Sequence, residues 1–341
     1  MGDLAAAVRA GEKTAVARAL NLVEDQRPRA RAAVAELLVA LRGAGGHRVG
    51  LTGPPGVGKS TLAAALARAL RDSRRTVGVL AIDPSSARSG GSLLGDRARM
   101  GFDPADEGLF VRSLATGGDR GGLSSAALAA VDVLAAAYEV VLVETTGVGQ
   151  SETDVRLVTD TVALVVQPGG GDVLQFLKAG VMEIPDVLVV NKADHEALAQ
   201  RTAAELQGAL QTMVAVGAGE ALPLVRASAT TGEGVAELLE ALDAHRSAIA
   251  AELGARRHAG EVAWTLRLFR RLHGDHGVRV LGGEEALRRW ADEALAHAAP
   301  PRACETLSER YLATLCPDAG PSHGPGPAPL PPHDDTETST P

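Results

Sequence analysis

The loop Gly53-Pro-Pro-Gly-Val-Gly-Lys-Ser60 restricts what this chain can fold into more than any other segment. It follows a short β-like run at residues 49–52 and leads into an Ala/Leu-rich helical stretch at 62–70. Small residues let backbone N–H groups curl around phosphates at the N-terminus of the helix that begins near Lys59. In that setting Lys59 reaches the β- and γ-phosphates of a nucleoside triphosphate, and the Ser60 hydroxyl ligates Mg²⁺. The nucleotide-binding residues here are Gly53, Pro54, Pro55, Gly56, Val57, Gly58, Lys59, Ser60 and Thr61. Further apolar runs at 77–82, 140–143, 162–166 and 187–190 alternate with helical stretches. That alternation predicts an α/β fold, a P-loop domain whose mostly parallel sheet is covered by helices on both faces.

Three later segments carry the remaining nucleotide chemistry. Asp83 follows one apolar run, Glu144-Thr-Thr-Gly147 another, and Asn191-Lys-Ala-Asp194 the last. The carboxylate of Asp194 can accept from both N1–H and the 2-amine of guanine, a donor pair that adenine lacks. Lys192 can lay its apolar stem along the base while Asn191 ties the loop to its neighbours. Ser228-Ala-Thr230 follows the run 221–225, so Ser228 and Ala229 stand where backbone N–H groups would meet guanine O6. The phosphate loop selects a nucleoside triphosphate and Asp194 selects its base, which together read as a GTPase binding GTP and GDP.

The usage of basic residues supports this independently. Lys and Arg total 34, yet only Lys13, Lys59, Lys178 and Lys192 are lysines. A chain that writes arginine wherever a positive charge suffices keeps lysine where a compact ammonium on a slim stem is needed. Lys59 and Lys192 lie in the nucleotide motifs; Lys178 lies in neither. Lys178 ends Pro168-Gly-Gly-Gly-Asp-Val-Leu-Gln-Phe-Leu-Lys178, and Gln175 precedes it by three residues, on the same face if the segment is helical.

Net charge is −8, with 2% aromatic residues and no basic cluster, which argues against a nucleic-acid partner. No apolar run reaches the length of a membrane span, and the start does not read as a signal peptide. Two cysteines, Cys304 and Cys316, form no disulfide framework, and a cytoplasmic location is expected. The nine histidines show no metal-ligand spacing.

The expected organisation is an N-terminal helical extension at 1–46 closed by the hinge-like break Gly43-Ala-Gly-Gly46, then a nucleotide-binding domain at 47–245. A C-terminal helical region at 246–316 follows, with Trp264, Leu266, Leu268 and Phe269 as an apolar cluster. In that region only Val278-Arg-Val280 shows strand-like alternation. The segment 317–341, rich in Pro, Gly, Ser and acids, is expected to be a disordered tail.

Two longer stretches carry a family resemblance. Ala81-Ile-Asp-Pro-Ser-Ser86 leads into Gly90-Gly-Ser-Leu-Leu-Gly-Asp-Arg-Ala-Arg-Met100, and residues 143–152 precede Gln167-Pro-Gly-Gly-Gly-Asp-Val-Leu-Gln-Phe-Leu-Lys-Ala-Gly-Val-Met-Glu183. Over residues 20–235 the chain resembles the MeaB/ArgK GTPases, bacterial counterparts of the human methylmalonic aciduria type A protein. The resemblance implies that Glu144 holds a Mg²⁺-bound water, and that Gly147 meets the γ-phosphate and pivots a switch loop. It places Asp83 and Asp96 near the metal and the attacking water. It makes Gln150, Asp172, Gln175 and Lys178 the residues that pass nucleotide state to a partner. That partner would be an adenosylcobalamin-dependent acyl-CoA mutase, with the GTPase, a homodimer through 246–316, gating cofactor delivery and protecting or reactivating the enzyme. Two departures stand out. Gly117 occupies a position where the family usually has arginine, with Arg120 three residues on, and Thr146 replaces an aliphatic residue.

Two other readings compete with this one. A transport-system kinase, of the LAO/AO (arginine/ornithine) type, would need a phosphoacceptor site, and Asp194 makes ATP a poor donor. A nickel-insertase GTPase would be expected to carry Cys or His near its switch segments, whereas Cys304 and Cys316 lie far along the chain.

Overall fold

The computed structural model describes residues 1–25, 27–83 (Asp83 by its backbone), 103, 105–115, 123–124, 126–145, 154–169, 185–215 and 221–315. Three helices come first: α1 (Gly2–Arg9), α2 (Lys13–Glu24) and α3 (Pro28–Ala40). Then follow β1 (His47–Thr52), α4 (Lys59–Asp72), β2 (Val77–Asp83), β3 (Leu109–Ala115), α5 (Ala127–Ala137), β4 (Val140–Glu144) and a 3₁₀ turn at Val155–Leu157. The chain continues with β5 (Thr161–Val166), β6 (Val187–Val190), α6 (Glu196–Ala215), β7 (Leu224–Arg226) and α7 (Val235–Ala248). Three helices close it: α8 (Leu253–Val280), α9 (Gly283–Leu295) and α10 (Pro300–Leu315).

The strands form one sheet in the order β3-β2-β4-β1-β5-β6-β7, every neighbouring pair parallel. Parallel strands are buried on both faces, which is why their sequences are unbroken apolar runs. In β4, Val141 and Val143 face a core shared with α1, α2, α3 and α5, while Val140 and Leu142 face one shared with α4 and α7. A third cluster packs α6 onto Leu164, Val166, Leu188 and Val190. The sheet is thus covered on both faces, as the alternation predicts. β3 at one edge has no such signature, and the three-residue β7 at the other overlaps only the end of the run 221–225. Among the described residues no helix is long and apolar enough to cross a membrane.

The stretch 43–46 is not a hinge. Gly46 N–H donates to Ala135 O, and a Cβ at Gly46 would lie 2.4 Å from Tyr138 O. Arg257, from α8, donates to Ala44 O and Gly46 O, and Arg246 donates to Gly45 O. Val278 and Val280 belong to the last turns of α8 rather than to a strand. The expected apolar cluster divides between two cores. Trp264 is 1% exposed in the core that α1–α3 share, while Leu266 and Phe269 pack with α9 and α10. Trp264 is therefore consumed by packing within the chain. Residues 316–341, including Cys316, lie outside the described residues.

Helix α8 is fastened to the end of the sheet opposite the phosphate loop. Asp160, its side chain 1% exposed, takes Arg257 through both oxygens (2.8 and 2.6 Å) and accepts from the Arg48 N–H at 3.0 Å. Burial alone would raise the Asp160 pKa, but the Arg257 hydrogen bonds and charge outweigh it and hold the carboxyl below its usual range. Removing one partner of such a pair leaves an uncompensated buried charge, at a cost of about 3–5 kcal/mol. Arg257→Met is expected to lower stability by that amount near neutral pH, measured by denaturant unfolding. The depressed pKa stabilises the fold fully above the unfolded carboxylate value of about 3.9, and this is lost as pH falls through the folded value. The gap between parent and variant should therefore close in acid.

Candidate nucleotide site

The site lies at the C-terminal ends of the central strands. The phosphate loop leaves β1, and its backbone turns only because glycines occupy the tight positions. At Gly53 (φ +139°) an added Cβ would lie 2.1 Å from Val165 O, and at Gly58 (φ +92°) 2.6 Å from Asn191 Nδ2. The loop is thus wedged between the exits of β5 and β6. Lys59 opens α4, is 6% exposed, and donates its ammonium to Gly53 O at 2.8 Å and Pro54 O at 2.9 Å. Those bonds fold the side chain back over the loop.

Ser60 Oγ donates to Glu144 Oε1 at the end of β4. Thr145 sets this meeting: its N–H donates to Leu51 O at 3.1 Å and its hydroxyl to Thr52 Oγ1 at 3.3 Å, tying the exit of β4 to that of β1. A hydroxyl and a carboxylate are hard oxygen donors, the set that suits Mg²⁺. Ser60 and Glu144 therefore fit such an ion, which would neutralise phosphate charge when bound. Asp83 ends β2 in register with Ala115, two residues beyond Ala81, which pairs with Glu144. Its backbone thus stands at the same C-terminal end of the sheet.

The base-recognition residues come together from two strands. Asn191 is 1% exposed and donates to Val57 O at 2.8 Å, and its Oδ1 accepts from Ala229 N–H at 3.2 Å. One amide thus joins the phosphate loop to the loop after β7. Lys192, in the left-handed region at φ +60°, donates to Gly56 O at 2.9 Å and to Gln167 Oε1 at 2.7 Å. Asp194 Oδ1 accepts from the Ser228 hydroxyl at 2.7 Å, and Asp194 Oδ2 lies 3.9 Å from His195 Nε2. The Ser228 hydrogen bond, with smaller help from its own backbone and from His195 and Lys192, holds the Asp194 carboxyl below its usual range. It stays ionised, as an acceptor for N1–H and an amine must.

The structure therefore brings together Gly53 to Thr61, Glu144, Asn191, Lys192, Asp194, Ser228 and Ala229. Asp96, Gly147, Gln150, Asp172, Gln175 and Lys178, with Gly117, Arg120 and Thr146, lie outside the described residues. Two positioning residues, Thr145 and Gln167, carry no signal of this role in the sequence. A threonine beside a recognised acid and a lone amide after a strand have no spacing that flags them.

A parallel sheet in this order, with a phosphate loop between β1 and α4 and a guanine-type carboxylate after β6, defines a P-loop GTPase. The family model described as "Methylmalonyl Co-A mutase-associated GTPase MeaB" matches residues 16–275, and the chain belongs to that family. A Mycobacterium tuberculosis protein named "Probable GTPase" is 43% identical over 274 residues, 78% of this chain and 82% of that protein. The Mus musculus protein named "Methylmalonic aciduria type A homolog, mitochondrial" is 35% identical over 276 residues, 76% of this chain and 66% of that one. Among solved structures, the crystal structure of an LAO/AO transport system kinase superposes with TM-score 0.61 at 27% identity, covering 91% of this chain and 97% of that one.

Proposed function

We propose that this GTPase is a chaperone that uses GTP hydrolysis to gate adenosylcobalamin delivery to a cobalamin-dependent acyl-CoA mutase, and that protects or reactivates that enzyme. The observation that carries the reading is the family match, whose description names a methylmalonyl-CoA mutase, over residues 16–275. In this reading Lys59 and the loop N–H groups hold the β- and γ-phosphates, Ser60, Asp83 and Glu144 surround Mg²⁺, and Asp96 and Gly147 complete the hydrolytic site. Asn191, Lys192, Asp194, Ser228 and Ala229 read guanine. Residues 47–245 act as the nucleotide domain and the helices of 246–316 as a homodimer surface, in the cytoplasm.

The test is transfer of adenosylcobalamin from a loaded donor to apo-mutase, followed by its absorbance. Transfer should depend on whether GTP or GDP is bound, and transfer indifferent to nucleotide would rule the reading out. Gln150, Asp172, Gln175 and Lys178 are assigned the coupling to mutase. Lys178→Ala is expected to keep parental GTP affinity while mutase no longer accelerates hydrolysis; parental acceleration in the variant would return Lys178 to the surface charges.

The likeness to the LAO/AO transport system kinase favours a second reading, a kinase serving a transport system. Nucleotide preference separates the two. A kinase of that kind draws on ATP, which would leave the Asp194 carboxylate without its donor pair.

A further inference from the structure

The ammonium of Lys192 is held at a meeting of three segments. It donates to Gly56 O of the phosphate loop and to the side-chain oxygen of Gln167, the first residue after β5. Gln167 itself is well placed to hold. Val165 O abuts Gly53, Asn191 N–H donates to Val166 O at 2.9 Å, and Gly169 N–H donates to the buried Thr202 hydroxyl at 3.2 Å. The backbone on both sides of Gln167 is therefore fixed, and its amide oxygen is presented from a rigid support.

Lys192 needs such support. Its backbone sits in a region that costs a side-chain-bearing residue free energy, and its side chain has several rotatable bonds. The carboxylate of Asp194 lies two residues away, close enough for the Lys192 charge to act on it. An unrestrained ammonium would be drawn to that carboxylate and compete with the guanine N1–H and amine for its lone pairs. A neutral acceptor that holds the ammonium prevents this without cancelling the positive charge.

We infer that Gln167 is a positioning residue for guanine recognition, its amide oxygen holding Lys192 extended so that the lysine stem lines the base site and Asp194 stays free for the base. This rests on residues 191–194 being the base-reading loop. Because Gln167 also opens the segment 168–184, the same hydrogen bond links the base site to the start of that segment.

The experiment is titration with GDP and ADP of the full chain and of Gln167→Leu, Gln167→Glu and Lys192→Met, alone and combined. Gln167→Leu is expected to weaken GDP about tenfold, the size of one hydrogen bond to a charged group, and to narrow the GDP-over-ADP ratio. The rate at saturating GTP should stay within about twofold of the parent, since Gln167 acts on binding of the base and not on the phosphates. Gln167→Glu keeps an acceptor and should restore GDP binding. In the Lys192→Met background, Gln167→Leu should have no further effect. Parental GDP affinity in Gln167→Leu would overturn the inference, and so would an undiminished loss in the Lys192→Met background, which would mark a purely structural role. A parent that binds GDP and ADP equally would instead remove the base-reading assignment itself, an outcome visible before any variant is made.

Discussion

Asp194→Asn is expected to turn a guanine-specific site into one that prefers xanthine nucleotides. The two guanine donors aimed at this carboxylate are charge-assisted hydrogen bonds, each worth roughly 1.5–3 kcal/mol. Losing both lowers GTP affinity by about 10²–10⁴. Xanthine carries an oxo group in place of the 2-amine, and an amide N–H at residue 194 can donate to it. The Ser228 hydroxyl, 2.7 Å from Asp194 Oδ1, can also turn to serve an amide, so the loop should keep its shape. Calorimetric titration of the parent and the variant with GDP, ADP and xanthosine diphosphate gives the answer. Equal GDP and ADP affinity in the parent would contradict the role given to Asp194. Because the Ser228 hydrogen bond holds this carboxyl below its usual range, parental guanine preference should persist as pH falls to the ordinary carboxylate value of about 3.9.

How much of the molecule is legible in its sequence follows from what the chemistry fixes locally. The phosphate loop is readable because close approach to phosphates admits few residue types, and Gly53 and Gly58 show the constraint directly. Strands β4, β5 and β6 are readable because both faces are buried, leaving apolar runs. β3 is not, because Arg112 interrupts its run. The guanidinium is satisfied by Glu24 and Asn21 of α2, partners 88 and 91 residues away. β7 has only three residues and lacks a period to detect. The stretch 43–46 looks like a hinge because glycines mark flexibility in sequence. Here Gly46 instead admits the carbonyls of Ala135 and Tyr138 at distances no side chain would tolerate. Trp264 and Phe269 look like one cluster because they are close in sequence, but five residues on a helix span more than a turn, and the two cores they enter meet α8 from different sides. The Lys192–Gln167 bond joins residues 25 apart in two separate motifs that no spacing pairs, so only the fold reveals it.

Hydrolysis by the isolated protein is expected to be slow and to rise by about 10³–10⁵ when a partner completes the site. Phosphoryl transfer depends on positioning and on neutralising charge over the transferred oxygens, with little covalent work for the protein. This chain supplies part of that. Lys59 already sits over the loop, and Ser60 and Glu144 meet where a divalent ion would stand. The chain carries Val148 directly after Gly147, where some GTPases place a glutamine that orients the attacking water. At the position where the family resemblance leads one to expect an arginine it carries Gly117, with Arg120 three residues on. Slow hydrolysis that a partner completes is what the gating role proposed above requires. Single-turnover phosphate release, measured with and without an acyl-CoA mutase, checks the expectation. Lys59→Ala provides the internal control. Its hydrolysis should fall by about 10²–10³ in the presence of partner, because a donor aimed at the developing charge is gone whatever else the partner brings. Rapid turnover by the isolated parent, unchanged by mutase, would mean that the hydrolytic groups are complete within this chain and that timing lies elsewhere.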